Sequence, residues 1–273
     1  MMKKLSITFF LCLVAIGCRQ EQKKTVMAQQ GESSYQLSAS TRHHEWISLE
    51  RENGSVLKAF LVYPERDENT DAVIVIHENR GLNDWARSFA DSLAGQGFLV
   101  IAPDLISNTV EGKERTTDFE NSDKAREALY NLDPDGVTKD LDRVFQHVKG
   151  LPSSTGTVSV IGFCWGGSQT FRYATNNNEL KRAMVFYGTA PEDKSILQAI
   201  QCPVYGFYGG DDNRVNATIP ATKEAMEEYG KVYETVLYEG AGHAFMRRGA
   251  EETSGPNKEA HDAAWKALLE KLQ

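Results

Sequence analysis

Val158-Ser159-Val160-Ile161-Gly162-Phe163-Cys164-Trp165-Gly166-Gly167 decides the fold of this chain. A β-branched strand runs into Gly-x-Cys-x-Gly and then into a helix, the nucleophile-elbow pattern with cysteine where serine usually stands. So sharp a turn presses the residues two before and two after the nucleophile against neighbouring backbone, and glycines at 162 and 166 relieve that crowding. The elbow lifts one sulfur above a sheet, at the N-terminus of the next helix. There the helix dipole favours an anion, so the thiol pKa is expected to fall.

Outward from the elbow, strands and helices alternate. Residues 72–76 form a continuous apolar run, as a strand buried on both faces requires. Residues 82–93 have helical spacing, and 98–102 is a second buried strand, halted by Pro103. Helices are predicted over 121–132, 136–148, 167–174, 220–229 and 257–272, and further strands over 183–187, 204–208 and 232–238. Before them, 43–51 and 55–63 read as an antiparallel hairpin joined at Asn53-Gly54. The pattern predicts the α/β class: a mainly parallel central sheet with helices on both faces, an N-terminal antiparallel hairpin, and a ligand site at the carboxyl ends of the strands. The polar stretch 107–120 is the longest irregular segment and is expected to form a lid or rim.

At 273 residues, with 41% hydrophobic and 25% charged residues, the chain has a globular composition. Its net charge of −8 gives no electrostatic case for nucleic-acid binding. The N-terminus is a separate matter. Lys3 and Lys4 precede a short apolar run from Leu5 to Ile16, too short to span a membrane, which reads as a signal peptide over 1–17. Gly17-Cys18 resembles a bacterial lipobox, with Ala15 in the position more often held by leucine. The expectation is a lipidated Cys18, a flexible tether over 18–40, and one domain over 41–273. That places the protein outside the cytoplasm, in the bacterial cell envelope, anchored to the membrane by its N-terminal lipid. A monomer is expected.

With Cys12 in the signal and Cys18 taking lipid, Cys164 and Cys202 remain in the folded part. Cys202, at a loop-to-strand entry before Pro203, reads as a small buried hydrophobe. Neither belongs to a C-x-x-C pair, and His77-Glu78 begins a zinc-protease motif that Gly81 ends, so neither metal nor cofactor is expected.

An elbow nucleophile needs a base, and the base an orienting acid, following in the order nucleophile, acid, histidine. Strand 204–208 ends in Gly209-Gly210-Asp211-Asp212-Asn213-Arg214-Val215. Asp212 is favoured over Asp211 because it lies three residues before apolar Val215. Strand 232–238 runs into Gly240-Ala241-Gly242-His243-Ala244-Phe245. Of the histidines after the cysteine, His243 lies on this glycine-flanked loop and His261 inside a predicted helix, so His243 is the candidate base. Backbone N–H groups of Trp165 and Asn79 are the candidate oxyanion donors.

Together with His77-Glu78-Asn79-Arg80-Gly81 and Ala102-Pro103-Asp104-Leu105, these motifs resemble the dienelactone hydrolase family of the α/β-hydrolases, from about residue 71 to the C-terminus. The resemblance implies hydrolysis of an ester or lactone through a cysteinyl thioester, with Cys164, Asp212 and His243 as triad. It implies that Glu78 contacts the resting cysteine and helps switch on the thiolate when substrate binds. It also implies that Arg247, next to the competing Arg248, holds a substrate carboxylate, as a planar guanidinium can. The family's second carboxylate-binding arginine falls near Asn108 here, with Arg115 as a possible substitute. The alternatives are a broad carboxylesterase or thioesterase on neutral acyl groups, and a lipid-anchored, non-catalytic binding protein on the same scaffold.

Overall fold

The computed structural model describes residues 37–273; the expected signal peptide over 1–17, Cys18 and nearly all of the expected tether over 18–40 lie outside the described residues. The fold is α/β, built on an eight-stranded sheet in the order β1-β2-β4-β3-β5-β6-β7-β8. The strands are β1 His44–Glu50, β2 Val56–Val62, β3 Thr70–Ile76, β4 Leu99–Asp104, β5 Ser154–Phe163, β6 Ala183–Phe186, β7 Val204–Gly209 and β8 Tyr233–Tyr238. β1 and β2 form the antiparallel hairpin, β2 pairs antiparallel with β4, and every later pairing is parallel.

β3 shows why the sheet must be covered twice. Its Ala72, Ile74 and Ile76 enter one core and its Val73 and Val75 the other, all essentially without solvent exposure. The helices are α1 Asp84–Ala94, α2 Ser122–Tyr130, α3 Pro134–Lys149, α4 Trp165–Asn176, α5 Asn213–Asn216, α6 Ile219–Glu228, α7 Phe245–Glu251 and α8 Pro256–Leu272. Val137, Leu141 and Val144 of α3 and Phe171 of α4 pack on the first face. Phe89 and Leu93 of α1 and Ala264 and Leu268 of α8 pack on the second. Ahead of β1, the Ser40 hydroxyl and Arg42 Nε donate to buried Asp91 of α1 at 2.7 and 3.0 Å.

From β3 the chain crosses to β4 on one side and then to β5 on the other. The loops after β3 and β5 therefore diverge and leave a crevice between them, where α/β sheets place ligands.

Pro103 does not halt its strand: β4 continues to Asp104, with Pro103 opposite Ala59 of β2. Pairing with β3 ends at Ile101, so no ladder bond on that side is lost to the missing N–H. The 107–120 stretch is fastened instead of free. Thr116 donates its N–H and hydroxyl to Asp104 at 2.6 and 2.7 Å, and its Oγ1 accepts from Leu82 N–H at 2.9 Å. Burial pushes the Asp104 carboxyl up to about 6 against those bonds.

Cys164 and Cys202 are free thiols at opposite ends of the sheet. Phe163, Phe186 and Phe207 are level across β5, β6 and β7, which puts Cys164 just beyond the strands' carboxyl ends. Cys202 precedes β7 at its amino end. Among the described residues no helix is long and apolar enough to cross a membrane.

Candidate active site

The elbow is as tight as its glycines suggest. A Cβ on Gly162 would sit 2.1 Å from Gly166 O, and one on Gly166 would sit 2.4 Å from the carbonyls of Ile76 and His77. Cys164 takes φ 56°, ψ −114° at the N-cap of α4, a conformation that surrounding packing must hold. The chain tolerates this one left-handed residue because both flanking close approaches are glycine.

His243 Nε2 lies 3.1 Å from Cys164 Sγ, and its Nδ1 lies 2.5 Å from Asp212 Oδ2. Asp212 is buried at the carboxyl end of β7, where its Oδ1 also caps α5 by accepting from Val215 N–H at 3.4 Å. Asp211 is exposed. His261 lies on α8 beside Asp262, outside this group. The loop bearing His243 turns through Ala244 at φ 61° straight into α7, a helix that the glycine-rich sequence does not suggest. Arg247 is on α7; Arg248 is exposed.

The backbone N–H groups of Trp165 and Asn79 both draw the sulfur's pKa down. The thiol pKa is nonetheless raised, contrary to the expectation from the helix dipole. Burial is the largest cause and the nearby Glu78 charge the next, and together they outweigh the two N–H groups and the positive Arg214. The raised pKa keeps Cys164 a neutral thiol at rest.

Glu78 does not hydrogen-bond the cysteine. Its Oε2 accepts from Arg247 Nε at 2.8 Å and its Oε1 from Tyr187 OH at 3.2 Å, so it reaches the sulfur through its charge alone. Desolvation works against the Arg247 guanidinium, but Glu78 outweighs it and the arginine pKa is raised. Tyr187 is a site residue that sequence reasoning missed. It follows β6 at φ 40°, is fully buried, and sets its ring edge-on to His243 at 5.1 Å. Burial, then the Glu78 charge, pushes its pKa well above 10, so it remains a donor. The available signal was an aromatic at the carboxyl end of a parallel strand.

Neither candidate for the second arginine position reaches the site. Asn108 turns its amide to Val56 O at 2.8 Å. Arg115 stacks 5.0 Å from the Trp46 ring centroid on edge strand β1, four strands from β5 and thus roughly 19 Å across the sheet. Arg214, on α5 two residues after Asp212, is exposed and forms no ion pair among the described residues, and its charge acts on the sulfur.

A model of the dienelactone hydrolase family matches residues 57–273. A Saccharolobus solfataricus protein provisionally named a carboxymethylenebutenolidase is 30% identical over 249 residues, covering 79% of this chain and 93% of that one. An Escherichia coli K12 relative with the same provisional name is 29% identical over 229 residues, covering 80% and 82%. In fold, the chain matches a provisionally named dienelactone hydrolase of Klebsiella pneumoniae with a TM-score of 0.73 at 24% identity, covering 84% and 98%. With fold, family match and relatives in agreement, this chain belongs to the dienelactone hydrolase family and is a hydrolase of lactone or ester substrates.

Proposed function

We propose that the chain cleaves its ester or lactone through a thioester on Cys164, with His243 as base and Asp212 as its orienting acid. The observation that carries this reading is the unbroken line from Asp212 Oδ2 to His243 Nδ1 at 2.5 Å and from His243 Nε2 to the sulfur at 3.1 Å. His243 takes the thiol proton as sulfur attacks the carbonyl carbon. The carbonyl oxygen becomes an oxyanion that accepts from the N–H groups of Trp165 and Asn79. Collapse expels the alkoxide, which receives the proton from His243. A water then gives its proton to His243 and attacks the thioester carbonyl, releasing the acid, and the proton returns to sulfur.

Glu78 and Arg247 are the switch in this reading. At rest, Glu78 adds to burial in keeping the thiol neutral, and Arg247 holds Glu78. A substrate carboxylate that engages Arg247 loosens the Glu78 pair and so couples binding to thiolate formation. Arg214, exposed, without an ion pair among the described residues and with its charge acting on the sulfur, suits a second contact to the same anionic group. This favours a carboxylated ester or lactone over a neutral acyl substrate. For location, Lys3, Lys4, the apolar run and Gly17-Cys18 support a lipid-anchored enzyme of the cell envelope.

The test is hydrolysis of small activated esters with and without a carboxylate, by the intact protein and by Cys164→Ala. Loss of turnover in the variant, with a mass increase of one acyl group on acid-quenched protein containing Cys164, is expected. Unchanged rates in Cys164→Ala would overturn the assignment. Membrane fractionation of cells expressing the full chain, compared with Cys18→Ser, tests the anchor; a soluble unaltered chain would refute it.

A further inference from the structure

His77 follows β3 and has no part in the triad, yet its ring touches both halves of the site. It is fully buried and lies flat against the Trp165 indole, with centroids 5.8 Å apart and planes at 13°. Its Nε2 lies 3.4 Å from Leu105 N–H, which can only donate, so Nε2 accepts and the ring proton is on Nδ1. Nδ1–H therefore donates to Glu78 O at 2.8 Å.

That carbonyl belongs to the same planar peptide as the N–H of Asn79, and no peptide bond among the described residues is cis. In a trans peptide the C=O and N–H point in opposite directions. A bond that holds Glu78 O therefore aims Asn79 N–H, and this is one of the two N–H groups that act on the sulfur. A donor on the carbonyl also polarises the amide and strengthens its N–H. The stacked indole meanwhile braces Trp165, which supplies the other N–H.

We propose that His77 is a positioning residue for the oxyanion hole: through Nδ1–H it fixes the 78–79 peptide so that Asn79 N–H faces the reacting carbonyl oxygen. This rests on the thioester reading. Burial pulls the imidazole down to about 4, so at neutral pH the ring keeps the lone pair that Leu105 needs. Both ring nitrogens being engaged, the motif that opens like a zinc site serves a backbone instead.

Three substitutions separate the proposal from a packing role. In His77→Asn the amide nitrogen can occupy the place of Nδ1; in His77→Gln it reaches only the place of Nε2; His77→Leu has no donor. For His77→Leu, kcat on an activated ester is expected to fall roughly 10–100-fold, below the loss for a deleted oxyanion donor, with KM changed less than about threefold. The Cys164 thiol pKa, read from the pH dependence of thiolate absorbance, is expected to rise, since the sulfur loses an N–H. Displacement of Glu78 would move it the other way. His77→Asn is expected to recover most of both effects and His77→Gln little of either. Equal impairment of Asn and Gln, or an unmoved thiol titration in both Leu and Gln, overturns the proposal. If His77→Leu does not fold, the Asn and Gln pair decides alone. The titration needs no turnover, so failure of the thioester reading, seen as an active Cys164→Ala, is distinguishable from failure of this one.

Discussion

Replacing Glu78 with Gln isolates the strongest charge acting on the Cys164 sulfur. The carboxylate is 3% exposed, bonds Arg247 and Tyr187, and raises the thiol pKa second only to burial. Glutamine keeps the shape and an acceptor for Arg247 while deleting the charge. A nearby like charge disfavours the ionised thiol, so deleting it lowers the Cys164 pKa. The direction is fixed, because burial is unchanged while the charge that opposes the thiolate is gone. The assay is the rate of exchange with a neutral aromatic disulfide across pH. Below the thiol pKa the thiolate fraction rises, and for each tenfold rise the less basic thiolate is a weaker nucleophile by about threefold, which leaves a net gain of about threefold per tenfold. Above the pKa only the second effect survives, and the plateau falls by about threefold for each tenfold gain in thiolate below it. The two profiles therefore cross. Cys202 is buried, with its thiol pushed up to about 11, and adds only a slow background. A profile that does not move, or moves to higher pH, refutes the electrostatic account of the quiet thiol.

Asp212→Asn is expected to lower kcat by roughly 10³–10⁴-fold with little change in KM, since the imidazole loses its orienting partner; steady-state kinetics on an activated ester check it. Arg247→Met leaves Glu78 buried without its cation, which costs about 3 kcal/mol and lowers the melting temperature by roughly 6–12 °C. The same variant is expected to raise KM for a carboxylated ester at least tenfold more than for its neutral counterpart. Gly162→Ala would drive a methyl to 2.1 Å from Gly166 O and 2.3 Å from the Thr170 hydroxyl, so soluble folded protein is expected to be lost or to melt well below the parent. Two buried groups act oppositely on acid stability. His77, pulled down to about 4, supports folding above its unfolded value of 6.5 and loses that contribution as pH falls through 4. Asp104, pushed up to about 6, supports folding below its unfolded value of 3.8 and loses that contribution as pH rises through 6. Each is worth about 3 kcal/mol, so the pair nearly cancels between pH 4 and 6. Melting curves of His77→Asn should expose the Asp104 slope, with stability falling as pH rises across that window.

The elbow was legible because its constraint is local and steric: two glycines at fixed spacing fit few other roles. Asp212 and His243 were legible through chain order and their places just past strand ends. Asp212 was separable from Asp211 because it lies three residues before apolar Val215, whose N–H its side chain turns out to cap. What depends on three-dimensional proximity was not legible. The thiol pKa turns on burial and on Glu78, which is 86 positions away in the chain, and these reverse the local preference of the helix dipole. Tyr187 carries no motif; its left-handed backbone and its bond to Glu78 exist only once β3 and β6 are in one sheet. Arg115 looked available because its partner, Trp46, is some seventy positions earlier in the sequence. The α7 helix follows a glycine-flanked loop whose composition masks a helix start.

The placing of the two thiols has a consequence for how the chain matures. Level with Cys164, β7 has already run six residues beyond Cys202, about 20 Å of strand, while a disulfide needs Cα atoms within about 7 Å. The native fold therefore forbids a Cys164–Cys202 bond, and the unfolded chain does not. If oxidation outpaces folding, the cross-link closes a loop across β6 that the sheet cannot accept, and the molecule is held off its productive route until the bond is reduced. Yield under oxidising conditions then becomes a race between sheet assembly and sulfur chemistry. Cys202→Ala would remove that trap and leave Cys164 in place.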